Sequence, residues 1–232
     1  MKDADGMQVE EDAGRMPALP GLNRSHKEWH SRGYLPHFDR PGMVQSITFR
    51  LADSVPVRIL EHWHTELELV GGESASDPRC AELRDRIERY SDEGNGSCWL
   101  RDPRIGEIVQ NALLHFDGER YRLLAWCIMP NHVHTLIETV VGFPLGEVVH
   151  SWKSFTANES NRVLNRQGEI WMPDYFDRFI RDAKHYDAVV EYIAENPVKA
   201  GLCSNPEEWR WSHLGKPLGA RASCPHADGM PA

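Results

Sequence analysis

Apolar and polar positions alternate first in Val44-Gln45-Ser46-Ile47-Thr48-Phe49-Arg50-Leu51, a segment rich in β-branched residues, which predicts a strand. Pro56 then opens a predicted helix whose apolar residues Ile59, Leu60, Trp63, Leu67 and Val70 recur at helical spacing; Gly71 and Gly72 end it. The charged run from Ala81 to Tyr90 predicts a second helix, or an extension after a break, and Gly94-Asn95-Gly96 a loop. Asp102 caps a further helix, with Pro103 in its first turn and Ile105, Ile108, Val109, Ala112 and Leu113 on its apolar face. Two apolar strands follow, Tyr121–Met129 and His132–Val140, joined tightly through Pro130-Asn131. Pro144 opens a long helix through Val148, Trp152, Phe155 and Val163. A short strand is expected around Phe176–Ile180, then a helix from Ala183 to Glu195 that Pro197 stops. Trp209-Arg210-Trp211-Ser212 is expected to pack back on the core.

Strands separated by helices, with one tightly joined pair, predict an α+β fold of ferredoxin-like type: an antiparallel sheet with helices packed on one face. Residues 1–22 and 215–232 are rich in Gly, Pro and Ala, lack periodicity and read as disordered tails. One domain, residues 23–214, is expected between them.

Composition narrows the function classes. A chain of 232 residues with 41% hydrophobic content suits a single domain. No run of about 18 apolar residues is present, so no membrane span is expected, and the start Met1-Lys2-Asp3-Ala4-Asp5-Gly6 lacks the apolar core of a secretory signal. A cytoplasmic address follows as the expectation. Five scattered cysteines (Cys80, Cys98, Cys127, Cys203 and Cys224) with no CxxC pair argue against a zinc ribbon and a disulfide framework. The net charge of −9 argues against broad electrostatic attraction to nucleic acid. Part of it sits at Asp3, Asp5, Glu10, Glu11 and Asp12, whereas Arg24, Lys27, Arg32, Arg40 and Arg50 face only Glu28 and Asp39 in the stretch that follows. Nucleic-acid binding would rest on shape, stacking and a few placed arginines.

His132 and His134 stand two apart in a predicted strand, so both imidazoles leave the same face while Val133 leaves the other. Such a pair is half of a divalent-metal site, or equally two partly exposed histidines beside a turn. His62 and His64 share the spacing but fall in a helical pattern, where positions two apart diverge by about 200°; they flank Trp63 and cannot easily share an ion. In the last helix Tyr192 and Asn196 are four apart and occupy one face. A phenol near a metal-bound phosphate becomes a usable nucleophile, and an amide one turn on can offer an oxygen to the same ion. Tyr192 also fits a core aromatic between Val189 and Ile193. The rival tyrosines, Tyr186 and Tyr175, have Val190 and Phe179 four residues on, neither of them a ligand.

Several segments together resemble a known family. Met129-Pro130-Asn131-His132-Val133-His134 is similar to the HUH motif of single-tyrosine transposases, and Tyr192-Ile193-Ala194-Glu195-Asn196-Pro197-Val198-Lys199-Ala200-Gly201-Leu202 to the C-terminal signature of the REP-associated tyrosine branch, IS200-like. Lys153-Ser154-Phe155-Thr156-Ala157, Tyr175–Asp182, Trp209–Ser212, Leu35–Phe38 and Ile47–Leu51 add to the likeness, which spans about residues 30–213. The resemblance implies a ferredoxin-like fold, a Mg²⁺ or Mn²⁺ ion, and a 5′-phosphotyrosine link to single-stranded DNA bearing hairpins of repetitive extragenic palindromes. It makes His132 and His134 metal ligands and Tyr192 the nucleophile. Asn196 stands where transposon relatives carry a glutamine ligand, and its shorter arm could leave that ligation to water. Arg178, Arg181 and Lys153 are candidate phosphate contacts, the two arginines equally solvated salt-bridging residues, and Trp152 is a candidate stacking surface for a base beside the more ordinary role of a core aromatic. Some relatives form homodimers that exchange the tyrosine helix; others act as monomers. Two other readings stand beside this one: a non-catalytic DNA-binding module of the same fold, and a histidine-triad nucleotide hydrolase, which Thr135 and Leu136 disfavour because that site needs further histidines along the strand.

Overall fold

A computed structural model describes residues 26, 28–31, 36–69 and 77–214. The expected tails, with Leu35, Val70 and the Gly71-Gly72 stop, lie outside the described residues. The elements in chain order are β1 (Glu28–Ser31), β2 (Pro36–Asp39), β3 (Val44–Arg50), α1 (Val57–Glu66), α2 (Pro78–Asp92), α3 (Pro103–His115), β4 (Tyr121–Ile128), β5 (His132–Thr139), α4 (Leu145–Val163), β6 (Phe176–Phe179), α5 (Ala183–Lys199) and β7 (Ser212–Leu214). Sequence signals set several boundaries. Asp77 and Asp102 cap α2 and α3 by accepting the Arg79 and Arg104 amides, and each is followed by a proline in the first turn, a device worth about 1 kcal/mol per cap.

The main sheet is antiparallel throughout, in the order β6-β3-β5-β4-β7. β1 and β2 form a separate antiparallel hairpin, and β7 extends the β4 edge; neither stands out from the sequence pattern. One sheet face carries Ile47, Phe49, Leu123, Trp126, Ile128, Val133 and Ile137 and packs against α3 and α4 through Ile105, Val109, Val148 and Trp152. Burying each such side chain contributes about 1.5–3 kcal/mol. This is the helical layer that the pattern predicts. The other face, with Val44, Leu124, Ala125, Cys127 and Leu136, is crossed by α5 through Tyr186 and Ile193. His132 and His134 share the phase of Leu136, so they open toward α5.

A β-bulge between Leu123 and Ala125 explains why β4 reads as one apolar run. The extra residue shifts the phase: Leu123 points to the α3/α4 side, Leu124 and Ala125 both to the α5 side, and Trp126 back again. At the far edge a third cluster joins Leu83 and Ile87 of α2 to Phe176 of β6, with Trp63 and Tyr90 against it. That contact lays α2 over the end of the sheet where the histidines emerge.

One expectation is corrected. Pro197 does not stop the last helix; α5 runs through it to Lys199. Proline's fixed φ is already helical, and near a C-terminus the ring forfeits only one backbone bond. The helix ends instead at Gly201, whose φ of +68° is the left-handed conformation that favours glycine.

Candidate metal and tyrosine centre

Register places the centre. Across the β3–β5 ladder Thr48 faces His134 and Arg50 faces His132. The two imidazoles are 1% exposed, and their Nε2 atoms approach within 2.9 Å. Their outer nitrogens are held by neighbours. Asn131 Nδ2 donates to the Ser91 and Asn95 carbonyls, which leaves Oδ1 to accept from His132 Nδ1 at 2.7 Å. Thr48 Oγ1 lies 2.9 Å from His134 Nδ1. The Asn131 contact puts the His132 proton on Nδ1 and turns the Nε2 lone pair inward. Burial, with His134 and Arg50 nearby, depresses the His132 pKa, and burial with Arg50 lowers that of His134 to about 3. Both rings are therefore neutral, the form that ligates metals.

From α5, Asn196 is 1% exposed and its Nδ2 donates to His134 Nε2 at 3.2 Å and to the Tyr192 hydroxyl at 2.9 Å. The Tyr192 ring meets His134 edge-on, with centroids 5.3 Å apart. The spacing of four residues thus does what helical geometry predicts. Two groups come from α2, which the sequence reading left without chemistry. Glu88 Oε1 accepts the Tyr192 hydroxyl proton at 2.6 Å, and Asp92 Oδ1 lies 3.4 Å from His132 Nε2. Burial, then the Glu88 charge, raises Asp92 to about 7 and holds the Tyr192 phenol well above its ordinary range. Glu88 and Asp92 are themselves four apart on a helix, but so are many solvated carboxylates. Only the docking of Leu83 and Ile87 on Phe176 aims these two inward.

The donor set fits a divalent cation. Asp92, His132 and His134 offer ligand atoms within 4.8 Å of one another. Asn196 Oδ1 and Asp92 Oδ1 are buried without a hydrogen-bond partner, and two inward imidazole lone pairs repel unless a cation lies between them.

Other candidates fall elsewhere. Trp152 is corrected: it is 1% exposed on the opposite sheet face, against Phe49 and Tyr121, and its Nε1 donates to the Tyr121 hydroxyl, so no base can stack on it. Lys153 is also corrected as a free phosphate contact. Its Nζ donates to the Met172 and Pro173 carbonyls, and burial lowers its pKa to about 8. Arg178 and Arg181 are exposed beside the entrance to α5. Tyr186 is a core residue at 2% exposure, and Tyr175 packs on His37. In α1, His62 points outward toward Glu66 while Trp63 packs on Tyr90, and among the described residues His62 and His64 belong to no metal-ligand group.

A family model described as transposase IS200 like matches residues 101–196. An Escherichia coli (strain K12) REP-associated tyrosine transposase is 26% identical over 109 residues, covering 46% of this chain and 62% of that protein. A Haemophilus influenzae protein named for the same group is 26% identical over 111 residues, 43% of this chain and 62% of the relative. The chain thus spans about three-fifths of the length of these relatives. A solved REP-associated tyrosine transposase, bound to a REP hairpin, superposes with a TM-score of 0.46 at 17% identity, covering 76% of this chain and 79% of that one. Residues 101–196 end at Asn196 and include His132, His134 and Tyr192, and this part of the chain is similar to the IS200-like, REP-associated tyrosine transposases.

Proposed function

We propose that this protein is a metal-dependent endonuclease and strand transferase acting on single-stranded, hairpin-bearing DNA through Tyr192. The observation that carries the reading is one unbroken chain of contacts, Glu88 to Tyr192 to Asn196 to His134 to His132. It joins a nucleophile, a proton acceptor and a metal-ligand set inside one fold. The names of the relatives support the substrate class. Among the described residues no helix is long and apolar enough to cross a membrane, and a cytoplasmic address belongs to the same reading.

His132, His134 and Asp92 would hold Mg²⁺ or Mn²⁺, with Asn196 Oδ1 in reach after an amide turn. The ion would supply Lewis-acid polarisation of the scissile phosphate. The chain's own groups do the rest. Glu88 Oε1, already bonded to the phenol, takes its proton. Tyr192 Oη attacks phosphorus in line; the O–P bond forms as the P–O3′ bond breaks, and the departing 3′ oxygen takes up a proton. The product is a 5′-phosphotyrosine and a free 3′-OH. Attack by a 3′-OH on that linkage returns a phosphodiester and the phenol with no external energy source.

The test is adduct trapping. A hairpin-bearing oligonucleotide with a single-stranded flank is incubated with the protein and Mg²⁺ or Mn²⁺, and the modified peptide is located by mass. An adduct on Tyr192, absent from Tyr192→Phe and from metal-free protein, is the expected result. An adduct on Tyr175 or Tyr186 overturns the assignment, and binding with no cutting by the wild type turns the reading into a binding module.

A further inference from the structure

We propose that Arg50 and Arg84 form a phosphodiester clamp beside the tyrosine centre, holding a DNA-backbone phosphate in the cleft between β3 and α2. The proposal rests on the reading of the protein as a DNA-processing enzyme. Arg50 is 6% exposed, and its guanidinium lies over the Phe176 ring, 4.4 Å from the centroid. Among the described residues it makes no ion pair. A buried guanidinium without an acid partner is strongly unfavourable unless a ligand neutralises it. Burial indeed lowers its pKa to about 9, only partly countered by Glu88 and Asp174. Glu88 lends Arg50 its charge but forms no ion pair with it, and its Oε1 accepts from Tyr192.

Arg50 opens into a narrow cavity lined also by Thr48, Arg84, Glu88, His132 and Phe176. Arg84, one helical turn before Glu88, has a buried Nε with no hydrogen-bond partner. Two guanidiniums with unused donors therefore border one space that touches His132 on one side and the acceptor of the Tyr192 proton on another. Farther out, the pKa of Arg178, exposed as a residue, is lowered by partial burial of its guanidinium and then by the nearness of Arg84 and Arg181, with Asp85 the opposing charge. Arg84, Arg178 and Arg181 repel one another locally, and an arriving anion relieves that repulsion. The planar fork of arginine matches the two non-bridging oxygens of a phosphodiester. Because Arg50 is the direct ladder partner of His132, a phosphate on that fork sits next to the metal-ligand set. The outer arginines then track the neighbouring backbone.

The experiment uses the full chain with Tyr192→Phe, so that nothing is cut, and adds Arg50→Met or Arg84→Gln. Binding of a mixed-sequence single-stranded oligonucleotide is followed by fluorescence anisotropy across a salt series, with melting temperatures measured without DNA. Each substitution is expected to weaken binding about tenfold, which is about 1.4 kcal/mol, and to reduce the salt slope by about one phosphate contact. Arg50→Met is also expected to melt no lower than its parent, because it removes an uncompensated buried charge. Unchanged affinity and slope in both variants would overturn the clamp, as would competition by polyglutamate equal to that by a phosphodiester strand. A lower melting temperature for Arg50→Met with unchanged binding would assign Arg50 a structural role instead. Restored Tyr192, tested for adduct in parallel, separates the two ideas: an adduct with an unchanged slope removes the clamp alone, and a changed slope without an adduct removes the nuclease reading alone.

Discussion

Asn131 fixes the protonation of His132. Its Nδ2 donates to the Ser91 and Asn95 carbonyls at 2.9 and 2.8 Å, so Oδ1 is the atom left to accept from His132 Nδ1 at 2.7 Å. Asn131→Ala should release both the tautomer and the ring orientation, lowering Mn²⁺ affinity about 10- to 100-fold in a calorimetric titration. It should also cost about 1–3 kcal/mol of stability, since a buried and a half-buried carbonyl lose this donor. Unaltered Mn²⁺ affinity in a folded variant would show that the ring orientation is set by something else.

Glu88 has two opposed effects on Tyr192. Its charge, after burial, keeps the phenol protonated, while its Oε1 is positioned to receive the proton. Glu88→Gln should therefore make the phenol easier to ionise in a spectroscopic titration and yet slow adduct formation by about 10²- to 10⁴-fold. Oligonucleotide affinity should hold or rise, because a negative charge leaves the lining of the Arg50 cavity. A variant that forms adduct at the parental rate would remove Glu88 from the chemistry.

These two cases show where the sequence is readable and where it stops. His132 and His134 follow from strand periodicity, and Tyr192 with Asn196 from helical spacing, because both patterns are local and fixed by backbone geometry. Glu88, Asp92 and Arg50 carry no local mark. Glu88 and Asp92 sit in a highly charged helix whose inward face is chosen by Leu83 and Ile87 meeting Phe176, some ninety residues away in the chain. Arg50 ends an alternating strand as an ordinary polar position until the register sets it against His132. Trp152 and Lys153 mislead for the converse reason. Type and motif suggest nucleic-acid contacts, while the packing of α4 sends one into the core and the other onto backbone carbonyls. The through-running Pro197 shows that a residue able to break a helix need not do so in its last turn.

His37 predicts a pH dependence away from the centre. It is fully buried on β2 and bonded through Nδ1 to Asp177 and through Nε2 to Asp174 at 2.9 Å. Burial alone would lower its pKa, but the two carboxylates outweigh it and raise the value from 6.5 to about 9. A raised folded pKa means that the stabilisation is fully present below about 6.5 and is lost as pH rises through about 9. Its full size is about 3 kcal/mol. Urea unfolding of the wild type and His37→Asn between pH 6 and 10 should show their difference shrinking steadily from about pH 6.5 to about 9 and levelling off above. A constant difference would mean that the ring is neutral in the folded protein.

Whether the tyrosine helix acts within its own chain can be decided by mixing. Asn196 reaches His134, and Tyr192 reaches Glu88, inside a single polypeptide, and α5 buries Tyr186 and Ile193 on the same sheet that carries the histidines. Exchanging α5 between two copies would expose that apolar face in each before it could be covered again, which makes spontaneous exchange slow. A Tyr192→Phe protein lacks the nucleophile but keeps the ligands; a His132→Ala/His134→Ala protein lacks the ligands but keeps the nucleophile. Mixed in equal amounts with the oligonucleotide and Mn²⁺, they should give no adduct if each centre is built from one chain. An exchanged pair would rebuild one intact centre in two from complementary halves. Adduct recovered on the Tyr192 peptide of the histidine-deficient partner would therefore place the working tyrosine in trans.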